Sequence, residues 1–326
     1  MNDICLHIQQ LSKRLATDRS LGEINLSLKS GKRIALLGVN GAGKSSFIRL
    51  LVGEDLPDTG SILYQDKRSP NVNLSPTDIA FKNKLGYQAD TMLAIDQMTG
   101  DQYLQLCGLL KGFSSTQLSE QIEALNNKWP IDGLLDRPMS KLSKGNLQKL
   151  AIAQALLNTP KFMFFDEPCQ SLDPLEQEKF NQLLKQLTGF ELCIFSTHNV
   201  EHALQVADEI ILFHHSKITY HFKNIIDKPP ISEDVEMTQD FILACREGDL
   251  GFEDWLQAQE LDSIKLSCQI YKIRSVKVSQ QKNLKTSLKT APKNIDFCLS
   301  EKEALLPLFR MLASGELTDF CLQEPS

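Results

Sequence analysis

Three short apolar runs, each ending abruptly in polar residues or glycine, dominate the hydropathy pattern of this chain. They occupy residues 34–37, 162–165 and 192–195. Runs that are apolar at every position suit strands that are buried on both faces of a parallel sheet. Helical patterns lie between the runs, at residues 44–51, 146–157 and 174–187. The alternation predicts an α/β sheet whose ligands bind at the carboxyl ends of the strands.

Two other features divide the chain into predicted domains. Residues 91–148 have a helical pattern that is too long for a simple crossover, so we interpret them as an inserted helical subdomain. The Lys-Pro-Pro sequence at 228–230 indicates a linker, because proline disfavours helical conformation in the residue before it. The predicted domains are therefore 1–226 and 227–326.

The second predicted domain is a small α+β unit. Its pattern predicts a strand at 295–299, a helix that begins after Ser300, and a strand at 317–322. The preceding tract, 263–295, contains eight Lys or Arg residues and no acidic residue. We interpret this tract as a solvated, partly disordered connection. Contact with an anionic membrane surface is the alternative.

Composition excludes some classes of protein. The formal net charge of -6 argues against a general nucleic-acid-coating protein. The eight cysteines lie far apart without a C-x-x-C pair, which indicates reduced thiols in a cytosolic protein. We expect no signal peptide, because the N-terminus carries Asp3 and no long apolar segment. We expect no spanning helix, because no apolar run approaches about 18 residues.

A glycine-rich loop follows the first apolar run and opens a helix. Glycines allow backbone N–H groups to close around phosphates, while Lys44 reaches the β and γ phosphates and the Ser45 hydroxyl ligates Mg²⁺. The rival interpretation is a glycine turn with an exposed lysine. The loop and the start of the helix predict these nucleotide-binding residues: Gly38, Val39, Asn40, Gly41, Ala42, Gly43, Lys44, Ser45 and Ser46.

The other two runs end in residues suited to phosphoryl transfer. Asp166 can hold the Mg²⁺ shell, and the adjacent Glu167 can polarise a water towards the γ-phosphate. The third run ends at Ser196-Thr197-His198, so His198 lies at the same rim of the predicted sheet. We predict Lys44, Glu167 and His198 as catalytic residues. Solvated loop acids and a structural histidine are the alternatives.

Five motifs in order, GVNGAGKS, LSKGN, FFDEP, SLD and TH, resemble the ATP-binding subunits of ABC transporters over about residues 1–222. The resemblance implies a P-loop NTPase fold with a RecA-like parallel core, an N-terminal antiparallel β subdomain and an inserted helical subdomain. It also implies that two such domains pack head to tail. Ser143 and Gly145 of one chain would then contact the γ-phosphate held by Lys44 of the other, with Asp173 at the same seam.

The chain departs from the family pattern at three positions. Leu15 aligns with the aromatic residue that stacks on adenine in the family. Asp90 aligns with the glutamine that reaches Mg²⁺, so we predict Asp90 as a metal ligand acting through water, with Gln88 as a displaced candidate. Asn146 ends LSKGN where glutamine or methionine is usual.

The last hundred residues resemble the accessory domain of ABC-2-type exporter ATPases. The resemblance implies an ATP- and Mg²⁺-dependent ATPase on the cytosolic face of the plasma membrane. Its partners would be a second ATPase chain, identical or not, and a separate permease, with no nucleic acid. The alternatives are a nucleotide-gated protein that hardly hydrolyses ATP and an ABC ATPase of translation or DNA repair.

Overall fold

The computed structural model describes most of the first 222 residues and several strands beyond them. The described residues are 4–16, 19–66, 69–92, 95, 97–222, 238–245, 263–265, 270–277 and 295–300. The chain divides into two compact units, Met1–Lys217 and Ile218–Ser326. The predicted boundary at 226/227 lies outside the described residues and stays a prediction. None of the described helices is long and apolar enough to span a membrane.

An antiparallel sheet forms the N-terminal part of the first unit. Its strands are β1 (Ile4–Ala16), β2 (Arg19–Lys29), β4 (Thr59–Asp66) and β5 (Ser69–Leu74), in the order β2-β1-β4-β5. Strand β2 alternates between buried and exposed side chains, and Ile24, Leu26 and Leu28 point into the core. Such alternation is typical of a sheet with one buried and one solvated face.

A second sheet carries the three apolar runs. It consists of β3 (Lys32–Leu37), β6 (Leu85–Gln88), β7 (Phe162–Phe165), β8 (Leu192–Thr197), β9 (Glu209–His214) and β10 (Lys217–Phe222), in the order β10-β9-β3-β8-β7-β6. Strand β8 pairs in parallel with both β3 and β7, and every residue of β7 and β8 is buried. The predicted parallel sheet is confirmed, and it brings the carboxyl ends of β3, β7 and β8 to one edge.

Helices connect these strands close to the predicted positions. Helices α1 (Lys44–Val52), α6 (Lys144–Leu156) and α7 (Pro174–Gln186) begin and end within two residues of the predicted bounds. Two shorter helices are α2 (Ile79–Lys82) and α8 (Val200–Val206). Ser143 and Asp173 are the N-caps of α6 and α7, so each accepts a hydrogen bond from a backbone N–H of the first turn.

The helical stretch between β6 and β7 contains no strand among its described residues. Helices α3 (Gly100–Leu110), α4 (Ser115–Asn126) and α5 (Asp132–Leu135) are followed by a 3₁₀ turn at Met139–Lys141 and then by α6. Thr99 and Ser114 begin α3 and α4 with capping boxes. Trp129 is fully buried and donates a hydrogen bond from Nε1 to the carbonyl of Lys149 (2.9 Å), which ties this stretch to α6.

The second unit contains a four-stranded antiparallel sheet. Its strands are β11 (Thr238–Cys245), β12 (Ser263–Lys265), β13 (Ile270–Lys277) and β14 (Ile295–Ser300), in the order β12-β13-β11-β14. The strand predicted at 295–299 is confirmed. Within the tract 263–295, interpreted as a solvated, partly disordered connection, β12 and β13 are strands whose backbones pair in the sheet. Residues 266–269 and 278–294 of the tract lie outside the described residues. The predicted linker at 228–230, the helix after Ser300 and the strand at 317–322 lie outside the described residues.

Candidate active site

The glycine-rich loop between β3 and α1 holds Lys44 in place. Gly43 has a φ of 101°, a conformation that L-residues other than glycine rarely adopt. A Cβ at Gly38 would lie 2.5 Å from the carbonyl oxygen of Phe213, so that position requires glycine as well. The Lys44 side chain is 5% exposed, and its Nζ donates hydrogen bonds to the carbonyls of Gly38 (2.8 Å) and Val39 (3.3 Å). The ammonium group is therefore fixed beneath the loop.

Asp166, immediately after β7, receives two hydroxyl hydrogen bonds. Its Oδ1 accepts from Ser45 Oγ (3.1 Å) and from Ser196 Oγ (2.6 Å). Burial raises the pKa of the Asp166 carboxyl, while the hydroxyls of Ser196 and Ser45 lower it and the charges of Asp90 and Glu167 raise it further. A carboxylate beside a serine hydroxyl offers the hard oxygen ligands that Mg²⁺ prefers, so this pair fits the ion.

Glu167, just after β7, connects Lys44 at the start of α1 with His198 just after β8. Its Oε1 forms an ion pair with Lys44 Nζ (3.1 Å), and its Oε2 lies 3.1 Å from Nδ1 of His198. The carboxylate can only accept, so this contact requires the Nδ1–H tautomer of His198. The backbone N–H of Glu167 donates to Ser196 Oγ (2.8 Å), and Glu167 has a φ of 44°. Three strand ends thus converge on one carboxylate.

A cavity of about 430 Å³ lies over these residues. Leu15 and Asp90, two of the positions at which the sequence departs from the family pattern, both border it, as does Lys44. A volume of this size is typical of ligand pockets. The described residues that line the cavity are Leu15, Arg19, Asn40, Gly41, Ala42, Gly43, Lys44, Ser45, Ser46, Asp90, Glu167 and Gln170.

The predicted signature residues lie together but away from this cavity. Ser143 Oγ accepts the N–H of Asn146 (3.2 Å). A Cβ at Gly145 would lie 2.7 Å from the carbonyl oxygen of Ser171. Glycine at this position therefore lets α6 pack closely against the segment that precedes Asp173. None of these residues borders the cavity. Their contact with a nucleotide on a second chain remains a prediction.

Gln88 does not reach the cavity. It is fully buried, and its Nε2 donates to the carbonyl of Asp166 (3.1 Å), which braces the backbone beneath the carboxylate. Of the two sequence candidates for this role, Asp90 therefore faces the site. Ser196 and Gln148 also contribute to the site, and neither was predicted from the sequence. Ser196 could have been found from its position just before Thr197-His198 at the end of the third apolar run, whereas no sequence motif points to Gln148.

Gln148 links the signature helix to the strand end that bears the carboxylates. Its side chain is buried, and Nε2 donates to the carbonyl of Pro168 (3.1 Å). Helix α6 is therefore attached to the segment after Glu167 both through this bond and through the close approach of Gly145.

Comparisons with known proteins show what this arrangement is similar to. Residues 21–170 match the family model "ABC transporter". The chain is 31% identical over 211 residues to the sulfate/thiosulfate import ATP-binding protein CysA of Pectobacterium atrosepticum, covering 64% of this chain and 63% of that protein. It is also 31% identical to the protein of the same name from Mesostigma viride, covering 68% and 63%. The chain thus spans about 63% of the length of these curated relatives.

A solved structure shares the fold. A dimeric bacterial ABC transporter cassette superposes with a TM-score of 0.60 at 21% identity, covering 68% of this chain and 100% of the cassette. The P-loop NTPase fold predicted for the first domain, with its antiparallel sheet and helical insertion, is confirmed. Residues 21–170 are therefore similar to the family described as ABC transporter, and the fold is that of a solved ABC transporter cassette.

Proposed function

We propose that this chain binds and hydrolyses ATP as the ATPase subunit of an ABC transporter. The observation that carries the proposal is the convergence of Lys44, Asp166, Glu167 and His198 at one sheet edge, beneath a cavity of about 430 Å³. Phosphoryl transfer needs mainly positioned charge and an oriented nucleophile, and these groups supply both.

Each group has a distinct role in this proposal. The loop N–H groups and Lys44 bind the phosphates, whereas Ser45 and Asp166 would hold Mg²⁺, with Asp90 within reach through water. The ion supplies positive charge against the phosphate oxygens. Glu167 acts as the general base towards water, and His198 orients the Glu167 carboxylate through Nδ1–H (3.1 Å).

We further propose that two such chains close on two nucleotides and drive a separate permease at the cytosolic face of a membrane. Ser143, Gly145 and Asp173 support this arrangement because they lie on α6 and at the start of α7, away from the chain's own cavity. The N-terminus of α6 presents free N–H groups and a positive dipole end, which favour an anion held by another chain. The second chain can be identical or different.

The test is ATP turnover by the purified chain and its variants. Glu167→Gln should lower turnover by about a hundredfold or more, since it removes the general base while keeping the side-chain shape. Lys44→Ala should abolish tight nucleotide binding. Glu120 is exposed and does not line the cavity, so Glu120→Gln is the matched control and should leave turnover unchanged. Undiminished turnover in Glu167→Gln would contradict the assigned role.

A second candidate function is a nucleotide-gated protein with weak hydrolysis. The observation that favours it is the placement of Gln88 in the core, which leaves the shorter Asp90 side chain at the cavity. In that case the wild-type chain, with its membrane partner, would bind ATP yet turn it over no faster than Glu167→Gln. Restoring the usual residue with Asp90→Gln should then raise turnover.

For the direction of transport we propose export through an ABC-2-type permease. The support is the resemblance of residues 294–326 to the accessory domain of such exporters; β14 is the part of this segment that is described. The curated relatives at 31% identity carry names of sulfate/thiosulfate import, so import is the rival. Uptake of radiolabelled sulfate by intact cells separates the two. ATP-dependent uptake that requires this chain and is lost in Lys44→Ala would contradict export.

A further inference from the structure

One cation at the cavity has no role in the motifs. Arg19 is the first residue of β2, pairs with Ala16 across the strand connection, and has an exposed side chain. Its Nη2 donates to the carbonyl of Gly41 in the glycine-rich loop. Arg19 thereby brings a guanidinium from the antiparallel sheet to the wall of a cavity whose other cation, Lys44, is buried and ion-paired with Glu167.

No planar ring that would hold a nucleobase lies among the described residues of the cavity wall. None of its described lining residues is aromatic, and Leu15, which borders it, offers apolar contact without a π face. A guanidinium is planar and stacks on aromatic rings, and such contacts contribute to base binding in other nucleotide sites. The hydrogen bond from Nη2 to Gly41 lies in the plane of the guanidinium, so the bond leaves both faces available for stacking.

We propose that Arg19 binds the nucleobase of ATP by stacking its guanidinium on the base, in the role that an aromatic residue plays elsewhere in the family. The inference rests on the proposed ATP-binding function. The phosphates have their own partners in the loop N–H groups and in Lys44, which leaves the base as the part of the nucleotide without one. Arg19 and Leu15 together form the base-binding end of the cavity.

The experiment compares the dissociation constants of ATP and of inorganic tripolyphosphate, which has the phosphates but no base. Arg19→Ala should weaken ATP about tenfold, or ~1.4 kcal/mol, and leave tripolyphosphate unchanged. Arg19→Lys keeps the charge without the plane and should resemble Arg19→Ala. Adding Leu15→Trp to Arg19→Ala should restore ATP binding. Arg137 is the matched control, because it is also exposed and donates Nη2 to a backbone carbonyl, at Lys141.

Three results would overturn the inference. An unchanged ATP constant in Arg19→Ala would remove the contact altogether. An equal loss for ATP and tripolyphosphate would show that the charge acts on the phosphates. Full rescue by Arg19→Lys would show that planarity is irrelevant. If neither the wild-type chain nor Lys44→Ala binds ATP, the proposed function fails as well. If ATP binding is lost in Lys44→Ala but unchanged in Arg19→Ala, the proposed function stands and the role of Arg19 is rejected.

Discussion

Removal of one buried hydroxyl, with Ser196→Ala, should weaken both the fold and the proposed chemistry. Ser196 is fully buried, and its Oγ joins the Asp166 carboxylate (2.6 Å) to the backbone N–H of Glu167 (2.8 Å). A hydrogen bond to a charged group contributes about 1.5–3 kcal/mol and a neutral one about 0.5–1.5. The substitution should therefore lower the free energy of unfolding by about 2–4.5 kcal/mol.

The same substitution should change the pH dependence of ATP turnover. The Ser196 hydroxyl lowers the pKa of Asp166, which burial raises, so its loss lets that pKa rise further. Asp166 must be ionised to bind Mg²⁺, and turnover is lost as the pH falls through this pKa. The acid limb of the profile should consequently move to higher pH in Ser196→Ala.

Urea unfolding followed by circular dichroism measures the first effect, and phosphate release between about pH 5 and 8 measures the second. Ser30→Ala is the matched control, since Ser30 Oγ donates to the buried carboxylate of Glu191 far from the cavity. It should cost stability without shifting the acid limb. A loss below about 0.5 kcal/mol in Ser196→Ala, or an acid limb equal to that of Ser30→Ala, would refute the reasoning.

Three other substitutions test separate contacts. Burial lowers the pKa of His202 to about 4, so stability should fall as the pH drops from about 6.5 to 4, by about 3 kcal/mol, and His202→Gln should flatten this dependence in pH-dependent urea melts. Asp166 has a raised pKa, so its contribution to stability is present at low pH and lost as the pH rises through that pKa. Asp166→Asn removes the buried charge and should raise the melting temperature at pH 7 while abolishing turnover. A Cβ at position 145 would meet the Ser171 carbonyl at 2.7 Å, so Gly145→Ala should reduce turnover at least tenfold in the assembled complex, with ATP affinity of the single chain unchanged.

The residues that sequence alone could place are those fixed by local pattern. The buried runs identify β3, β7 and β8, and parallel pairing brings their carboxyl ends to one edge, so Lys44, Asp166, Glu167 and His198 had to lie close together. The bounds of α1, α6 and α7 followed from the helical patterns at 44–51, 146–157 and 174–187. The individual strands and helices depend on residues within a few positions of each other.

The contacts that the sequence could not place join distant segments. Ser196 reaches Asp166 across 30 residues, and Gln88 reaches the Asp166 carbonyl across 78. Gln88 and Asp90 are two positions apart in the sequence. Gln88 is the last residue of β6 and is buried, whereas Asp90 follows the strand and borders the cavity. No sequence motif includes Arg19, because its importance depends on its hydrogen bond to Gly41, a contact that the sequence does not reveal. Such pairings depend on the register between elements, which hydropathy does not specify.

The strained backbone conformation of Glu167 depends on the contacts that surround it. A φ of 44° in a residue other than glycine costs about 1–2 kcal/mol, so the surroundings must stabilise it. Ser196 holds the backbone N–H, and Lys44 holds Oε1 at 3.1 Å. On the proposed function, phosphates that attract the Lys44 ammonium weaken this ion pair and leave Oε1 free to accept a proton from water. The lysine thus keeps the general base occupied until a nucleotide is bound.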